Sequence, residues 1–275
     1  MKFVNDILKR DSEYQKLLEN VSNGELPVCV TGLSSVHKAM FASSLCRHTS
    51  KKLVLITPDE ASASLLSGDI RSFGLKTAVL PSRDYNFLRI SGASKEYEHK
   101  RTQTLSGILG GAFDVLILSV DSALLYTVPP EILKENTVSL SVSDELDLEE
   151  FSKVLVRAGY VRSELTEGAG QFSVRGGIMD IYPTNRQNPV RIELWGDEID
   201  TVCEFDSMTQ RRTETLSGVR IAPATELPFD SEKLCVKLED YLKKEKTLSE
   251  SQSERIRTDI ERIKGGAVIS ADPYI

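Results

Sequence analysis

The sequence predicts an α/β fold, in which a parallel-sheet region is followed by a mainly-β α+β region and a C-terminal helical segment. Residues 28–125 alternate short apolar runs with stretches long enough for helices, a pattern typical of parallel sheets with crossover helices. Residues 160–222 contain short β-type runs separated by Gly and Asn. Residues 231–264 return to helical patterns with charges of both signs.

The first region predicts four strands and three helices. Because the strand segments are apolar at consecutive positions, we expect them to be covered on both faces. The segments are VCVT (28–31), LVLIT (53–57), TAVL (77–80) and DVLILS (114–119). The intervening helices are predicted over 35–48, 59–73 and 95–109. The last of these is strongly polar, so we expect it to be mostly solvated.

The middle region begins after Pro129-Pro130, which is expected to stop the preceding helix. Residues 147–158 have a helical apolar face, with Asp144 or Asp147 as candidate N-cap and Gly159 as the C′ residue.

Strands are predicted after this helix in two pairs. A turn at Gly176-Gly177 joins the first pair, and Gly196-Asp197 joins the second as a hairpin. The strands are 171–175, 178–182, 190–195 and 198–205.

The C-terminal helices are predicted over 231–245 and 249–264. Ala267-Val268-Ile269 resembles the start of a strand that has no partner after it, so we expect the chain to be a fragment of a longer protein.

Charge and composition exclude several classes of protein. The formal net charge of −7 argues against nucleic-acid binding by bulk charge, which needs many cations, although a local basic patch is still allowed. No apolar run approaches the roughly 20 residues of a membrane span, and the N-terminus lacks the pattern of a signal peptide. The four cysteines form no CxxC pair, which favours a cytoplasmic chain with reduced thiols. Cys46 and His48 alone are too few ligands for zinc, so no metal site is expected.

The turn before helix 35–48 lies where a P-loop would lie. A working loop, GxxxxGK[ST], surrounds phosphates with backbone N–H groups and adds a Lys and a hydroxyl. In a register that begins at Gly32, the second Gly and the hydroxyl are missing. In a register that aligns Thr31-Gly32 with the TG of GxTGxGKT, all four critical residues are lost. This degenerate loop comprises Thr31, Gly32, Ser34, Ser35 and Val36, with Cys29 at its first critical position, and we expect no bound cofactor.

No catalytic constellation stands out. Asp59-Glu60 follows an apolar strand, as a Walker B acid pair would, but Pro58 intervenes and the acids fall at the start of a helix. We interpret them as ordinary complements of the helix dipole. No Ser-His-Asp, Cys-His or paired-carboxylate arrangement is supported by spacing.

The strand VRIELW (190–195) is more informative. Its alternation places Arg191, Glu193 and Trp195 on one face, and Ile192 and Leu194 on the face toward the core. Trp and Arg are the residues most enriched in interface hot spots, and Arg175 ends a strand of the same region. The alternative is that Trp195 packs on a loop or on helix 147–158, and the residues alone leave both open.

Two longer segments, GQFSVRGGIMDIYP (170–183) and VRIELWGDEIDTVCEFDSMTQRR (190–212), resemble the UvrB-like module that the excision-repair protein UvrB shares with the transcription-repair coupling factor, Mfd. UvrB keeps a working P-loop and inserts a long aromatic-rich hairpin. Here the loop is degenerate, and the matching stretch 81–94 is too short for that hairpin. The chain therefore resembles the N-terminal module of the bacterial coupling factor.

The resemblance implies a P-loop-type domain with an inserted domain. Domain 1A would span 1–138, domain 2 would span 139–222, and domain 1B, which we expect to be incomplete, would span 223–275. Domain 2 recruits UvrA in the family, and the family's binding residues correspond to Arg175, Arg191 and Trp195. At the position of Trp195, relatives often have Phe.

The implied function is a non-catalytic adaptor of transcription-coupled excision repair in the bacterial cytoplasm. Full-length relatives are ATP-dependent DNA translocases that displace stalled RNA polymerase, which they contact through domains absent here. The resemblance also implies that C-terminal parts of the full-length chain mask domain 2, that contact with DNA is weak or indirect, and that there is no membrane partner. The alternatives are a UvrB-like ATP-dependent enzyme that handles damaged DNA, and a DNA-binding module. On sequence grounds, alanine at Arg191 or Trp195 should abolish UvrA binding with little change in thermal unfolding.

Overall fold

A three-stranded parallel sheet and a six-stranded sheet are the two largest sheets of the computed structural model, which describes residues 6–82, 95–226 and 231–264. They belong to separate units. Unit 1 comprises residues 1–84 and 104–126, and unit 2 comprises residues 85–103 and 127–275.

Unit 1 contains the parallel sheet, in the order β1-β3-β2. Alternate residues of β1 and β3 pack against α2 and α3, and their shared core includes Ala39, Ala63, Ile70, Val115 and Ile117. The elements are α1 (Ser12–Asn23), α2 (Ser35–Thr49), β1 (Leu53–Thr57), α3 (Glu60–Ser72), β2 (Thr77–Leu80), α4 (Glu96–Leu109), β3 (Val115–Ser119) and α5 (Val120–Leu124). Helix α4 has its first eight residues in unit 2 and the remainder in unit 1.

Unit 2 contains the six-stranded sheet, in the order β10-β9-β8-β7-β6-β5, whose pairs are antiparallel except β5 with β6. A separate ladder joins β4 to β11. The elements are α6 (Pro130–Glu135), β4 (Val138–Ser141), α7 (Leu148–Arg157), β5 (Val161–Arg162), β6 (Gln171–Arg175), β7 (Ile178–Ile181), β8 (Val190–Trp195), β9 (Glu198–Phe205), β10 (Arg212–Leu216), β11 (Gly218–Ile221), α8 (Ser231–Lys244) and α9 (Glu250–Lys264).

One face of the six-stranded sheet, the core face, packs against α7. Phe151 and Leu155 of this amphipathic helix share a buried cluster with Phe172, Ile181 and Ile192 of three strands. Asp147 is the N-cap, and its Oδ1 accepts from the backbone N of Glu149 at 2.8 Å, which decides between the two candidates that the sequence offered. Helices α8 and α9 pair through a small apolar core of their own.

Most of the predicted elements are confirmed, including the mixed α/β class, the strands at 53–57, 77–80 and 190–195, and the hairpin at Gly196. Asp59 caps α3, since its Oδ1 accepts from the backbone N of Ser62 at 2.7 Å. This hydrogen bond lowers the pKa of the Asp59 carboxyl and confirms that Asp59 acts at the helix start, whereas the Glu60 carboxylate accepts from Ser82 Oγ at 2.6 Å.

The predicted strand 28–31 is wrong, because residues 25–34 form neither helix nor strand and β1 remains an edge strand of the sheet. A short run such as VCVT forms a strand only when a neighbouring strand supplies hydrogen-bond partners, and Val28 and Val30 are exposed instead. The expectation that all strands are covered on both faces also fails, since Val54 and Ile56 of the edge strand are more than half exposed. Pro130, expected to stop a helix, instead occupies the first turn of α6.

The predicted solvation of the polar helix 95–109 is also wrong. Arg101 and Thr102 of α4 are buried, and the Arg101 guanidinium donates from Nε to Oε2 of Glu226 at 2.7 Å and from Nη2 to Oε1 at 2.9 Å. The ion pair compensates both buried charges for the loss of their hydration. The stretch 83–94 and the strand-like segment 267–269 lie outside the described residues.

Gly159 joins α7 to the rest of unit 2 at a point where only glycine fits. Its φ is +89°, and a Cβ there would lie 2.7 Å from Cγ2 of Thr225. Ala224 donates its backbone N–H to the Ala158 carbonyl at 2.8 Å, so the two segments are held together at this point. The C′ position predicted for Gly159 is confirmed.

We predict that Gly159→Ala lowers the free energy of unfolding by roughly 2–4 kcal/mol in urea denaturation, through left-handed strain and overlap with Thr225. Gly196→Ala is the control, because Gly196 has a φ of +63° but open space around it. It should cost only about 1 kcal/mol. Equal losses in the two variants would contradict the close contact at Gly159.

Candidate functional site

The outer face of the six-stranded sheet, opposite the core face, carries the residues that the sequence singled out. Cross-strand pairing aligns Asp180 of β7 with Arg191 of β8, and Ile178 with both Arg175 and Glu193. The predicted alternation is confirmed: Ile192 is fully buried, whereas Trp195 is 85% exposed. Arg175, Arg191 and Trp195 therefore belong to one surface.

A buried carboxylate, which sequence reasoning missed, lies between the two arginines. Asp180 is 1% exposed. It accepts from Arg191 Nε at Oδ1 over 2.7 Å and from Arg191 Nη2 at Oδ2 over 2.9 Å, a bidentate arrangement. Arg175 Nη2 donates to the same Oδ2 at 2.7 Å. One acid thus fixes both guanidinium groups.

Arg191 and Arg175 differ in how much of the side chain is exposed to solvent. The Arg191 side chain is 14% exposed, and its guanidinium also stacks over the Phe205 ring with Cζ 4.6 Å from the centroid. The hydrogen bonds to Asp180 raise the pKa of Arg191, so its charge is constant. The Arg175 side chain is 48% exposed, so part of its guanidinium remains accessible to a partner. Arg175 is thus the more available cation of the two.

Trp195 stands at the end of β8 beside two glycine turns. It pairs with Glu198 across the Gly196-Asp197 hairpin, and Leu194 donates its backbone N–H to the Gly177 carbonyl at 2.9 Å. Gly177 has little room for a side chain, because a Cβ there would lie 3.3 Å from the Leu194 carbonyl oxygen. The turns leave the indole exposed. The alternative that Trp195 packs on α7 is wrong, because α7 lies on the opposite face.

Two further features lie toward the β10 edge of the sheet. Arg212 of β10 forms an ion pair with Glu193 of β8, so the row of charges continues across β9. Met208 is 90% exposed, in the turn between β9 and β10. The outer face therefore combines a flat aromatic with ordered arginines, residue types that are enriched in protein interfaces.

Of the residues predicted to form a degenerate P-loop, Thr31, Gly32 and Ser34 lie in an irregular segment, whereas Ser35 and Val36 begin α2. Gly32 has a φ of +81° with open space around it, and Ser34 Oγ lies 3.0 Å from His37 Nδ1. Among the described residues, no group of three or more His, Cys, Asp or Glu side chains is placed to share a metal ion. In the same ranges, no helix is both long enough and apolar enough to cross a bilayer.

The geometry predicts unequal costs for losing the two arginines. Arg191→Met leaves the buried Asp180 carboxylate with one partner, and should lower the free energy of unfolding by about 3 kcal/mol in urea denaturation. Arg175→Met removes a half-exposed partner and should cost about 1 kcal/mol or less. Losses of equal size would show that Asp180 does not depend on Arg191.

Comparison with known proteins relates this surface to a family. Residues 138–227 match the family described as the UvrB interaction domain. The chain is 30% identical over 226 residues to the transcription-repair-coupling factor of Bacillus subtilis (strain 168), an alignment that covers 82% of this chain and 19% of that relative.

Two staphylococcal proteins of the same name show similar matches. The protein of Staphylococcus haemolyticus (strain JCSC1435) is 32% identical over 225 residues, which is 81% of this chain and 19% of the relative. That of Staphylococcus epidermidis (strain ATCC 12228 / FDA PCI 1200) is 29% identical over 256 residues, which is 92% of this chain and 22% of the relative. The chain thus spans about a fifth of the length of these curated relatives. It is similar to the transcription-repair-coupling factors over most of its own length, and its residues 138–227 match the UvrB interaction domain.

Proposed function

We propose that this chain is a non-catalytic adaptor module of transcription-coupled repair, which recruits UvrA through the outer face of its six-stranded sheet. The observation that carries the proposal is the almost fully exposed Trp195, which shares the outer face with the ordered arginines, within the region that matches the UvrB interaction domain. Exposure of a large aromatic side chain to water is unfavourable, and a bound partner would remove the indole from water.

The three residues have different roles in this proposal. Trp195 is the anchor that inserts into a partner pocket. Arg175 offers its accessible N–H groups to a carboxylate on the partner, a charge-assisted bond that suits a planar guanidinium. Arg191, mostly buried against Asp180 and Phe205, holds the surface in shape. The Arg191→Ala variant should therefore weaken UvrA binding and also lower the stability of the fold. Sequence alone predicted little change in thermal unfolding.

The wider assignments follow from the relatives. In a full-length protein of this kind, we propose an ATP-dependent DNA translocase that displaces stalled RNA polymerase through domains outside this chain. C-terminal parts of that protein would mask the outer face in the resting state. The domain limits 1–138, 139–222 and 223–275, the degenerate nucleotide site and the cytoplasmic location belong to the same proposal.

The direct test compares Trp195→Ala with Tyr126→Ala in isothermal titration with purified UvrA. Tyr126 is the matched control, because it is an aromatic residue of unit 1 that is 89% exposed. Trp195→Ala should weaken binding by about 2–4 kcal/mol, the cost of truncating a hot-spot anchor. Tyr126→Ala should bind like the wild type, and Trp195→Phe should retain most of the affinity.

Thermal unfolding of both alanine variants should match the wild type, since each side chain is exposed. Wild-type affinity in Trp195→Ala would place the UvrA site elsewhere. A fall in its unfolding temperature would mean that the indole has a structural role.

A further inference from the structure

The turn that joins β9 to β10, residues 206–211, lies at the opposite end of β8 from Trp195. Val190 at the start of β8 pairs with Glu204 near the end of β9, whereas Trp195 pairs with Glu198 at the start of β9. We call residues 206–211 the β9–β10 turn. Because a strand rises about 3.3 Å per residue, roughly 17 Å of β8 separate its two ends. A protein partner that covers about 800 Å² of this chain can reach both.

Hydrogen bonds within the β9–β10 turn give it a defined shape. Asp206 Oδ1 accepts from the backbone N–H groups of Thr209 at 2.7 Å and Met208 at 3.0 Å. These hydrogen bonds, above all the one from Thr209, lower the pKa of the Asp206 carboxyl. Gln210 donates from Nε2 to the Ser207 carbonyl at 2.8 Å. Its φ is +59°, a left-handed conformation that is unfavourable for a residue with a side chain and that persists only where neighbouring contacts hold it.

Gln210 connects the β9–β10 turn to Arg191. Its Oε1 accepts from Arg191 Nη2 at 3.3 Å, and its carbonyl oxygen accepts from Nη1 at 3.5 Å. Asp180 accepts from Nε and Nη2, and the Phe205 ring lies against the guanidinium. All three guanidinium nitrogens of Arg191 therefore have partners within the chain. Arg191 thus holds two accessible parts of the surface in place, Arg175 through the shared carboxylate of Asp180 and the turn through Gln210.

The β9–β10 turn presents an apolar side chain to solvent. Met208 is 90% exposed, although its backbone N–H is bound by Asp206. A flexible thioether adapts to the shape of a partner, and methionine is enriched at protein interfaces. Arg211 at the end of the turn is also exposed. The turn therefore adds an apolar contact and a cation to a surface whose accessible charge, at Arg175, is also positive.

We propose that the β9–β10 turn is a second contact region for UvrA, in which Met208 contacts the partner and Gln210 is a positioning residue. The inference rests on the proposed function of the outer face and extends that site beyond Arg175, Arg191 and Trp195. Because Arg191 fixes the turn and the outer face in one arrangement, a partner that binds Trp195 meets the turn already ordered. Preordered contacts of this kind cost less conformational entropy on binding.

The test of the contact residue is isothermal titration of purified UvrA with Met208→Ala. This variant should weaken binding roughly fivefold to tenfold, since it removes an apolar contact at the interface. Val236→Ala is the control, because Val236 is an exposed apolar residue of α8, outside the sheet. It should bind like the wild type.

The positioning role is tested with two variants of Gln210. Gln210→Gly removes the side-chain contact with Arg191 and suits a φ of +59°, so it should weaken UvrA binding roughly fivefold to tenfold with little change in thermal unfolding. Gln210→Glu keeps an acceptor for Arg191 Nη2 and should retain the wild-type affinity. Ser50→Gly is the backbone control, because Ser50 has a φ of +54° in unit 1, and it should bind normally.

The outcomes separate this inference from the proposed function. Wild-type affinity in Met208→Ala and Gln210→Gly, with weak binding by Trp195→Ala, overturns the second contact region and leaves the proposed function intact. Wild-type affinity in Trp195→Ala overturns the proposed function itself. Normal binding by Met208→Ala, together with a lower unfolding temperature in Gln210→Gly, shows that the turn has a structural role only. Met208→Ala decides alone if Gln210→Gly fails to fold, because the Met208 side chain is exposed.

Discussion

The buried carboxylate of Asp180 is the constraint on which the candidate surface depends. A carboxylate that is 1% exposed is tolerable only with charged partners, and here two arginines on flanking strands provide them. Because β6, β7 and β8 must keep their register for these contacts to form, the ion pairs and the sheet stabilise each other. A slip of one residue would move Asp180 to the apolar core face.

This arrangement separates folding from recognition on one sheet. The core face supplies apolar burial against α7, while Asp180 and Arg191 anchor the outer face from within. What is left for a partner is the Trp195 indole and part of the Arg175 guanidinium. Rigid presentation of a few side chains reduces the conformational entropy lost on binding, which favours affinity.

Much of this could be predicted from sequence because it depends on local pattern. The alternation in VRIELW placed Arg191 and Trp195 on the correct face, and the position of Gly159 after an amphipathic stretch indicated the helix end.

The features that the sequence did not predict depend on distant contacts. The role of Asp180 was not predicted because Asp180 lies in the apolar run IMDI, and such a run is more simply interpreted as a strand that faces the core. The Arg101–Glu226 pair joins residues 125 positions apart, so no local pattern indicates it. Residues 28–31 have the composition of a strand, but a strand also needs a neighbour with unpaired backbone groups, and composition carries no information about that.

The central claim is that a partner covers the outer face of the six-stranded sheet, and hydrogen exchange with purified UvrA present and absent tests it most directly. The account predicts slower exchange in peptides spanning residues 171–181 and 190–205, which include the Gly176-Gly177 and Gly196-Asp197 turns. It also predicts unchanged exchange in β1, residues 53–57. Protection of β1 with no change at the two turns would contradict it.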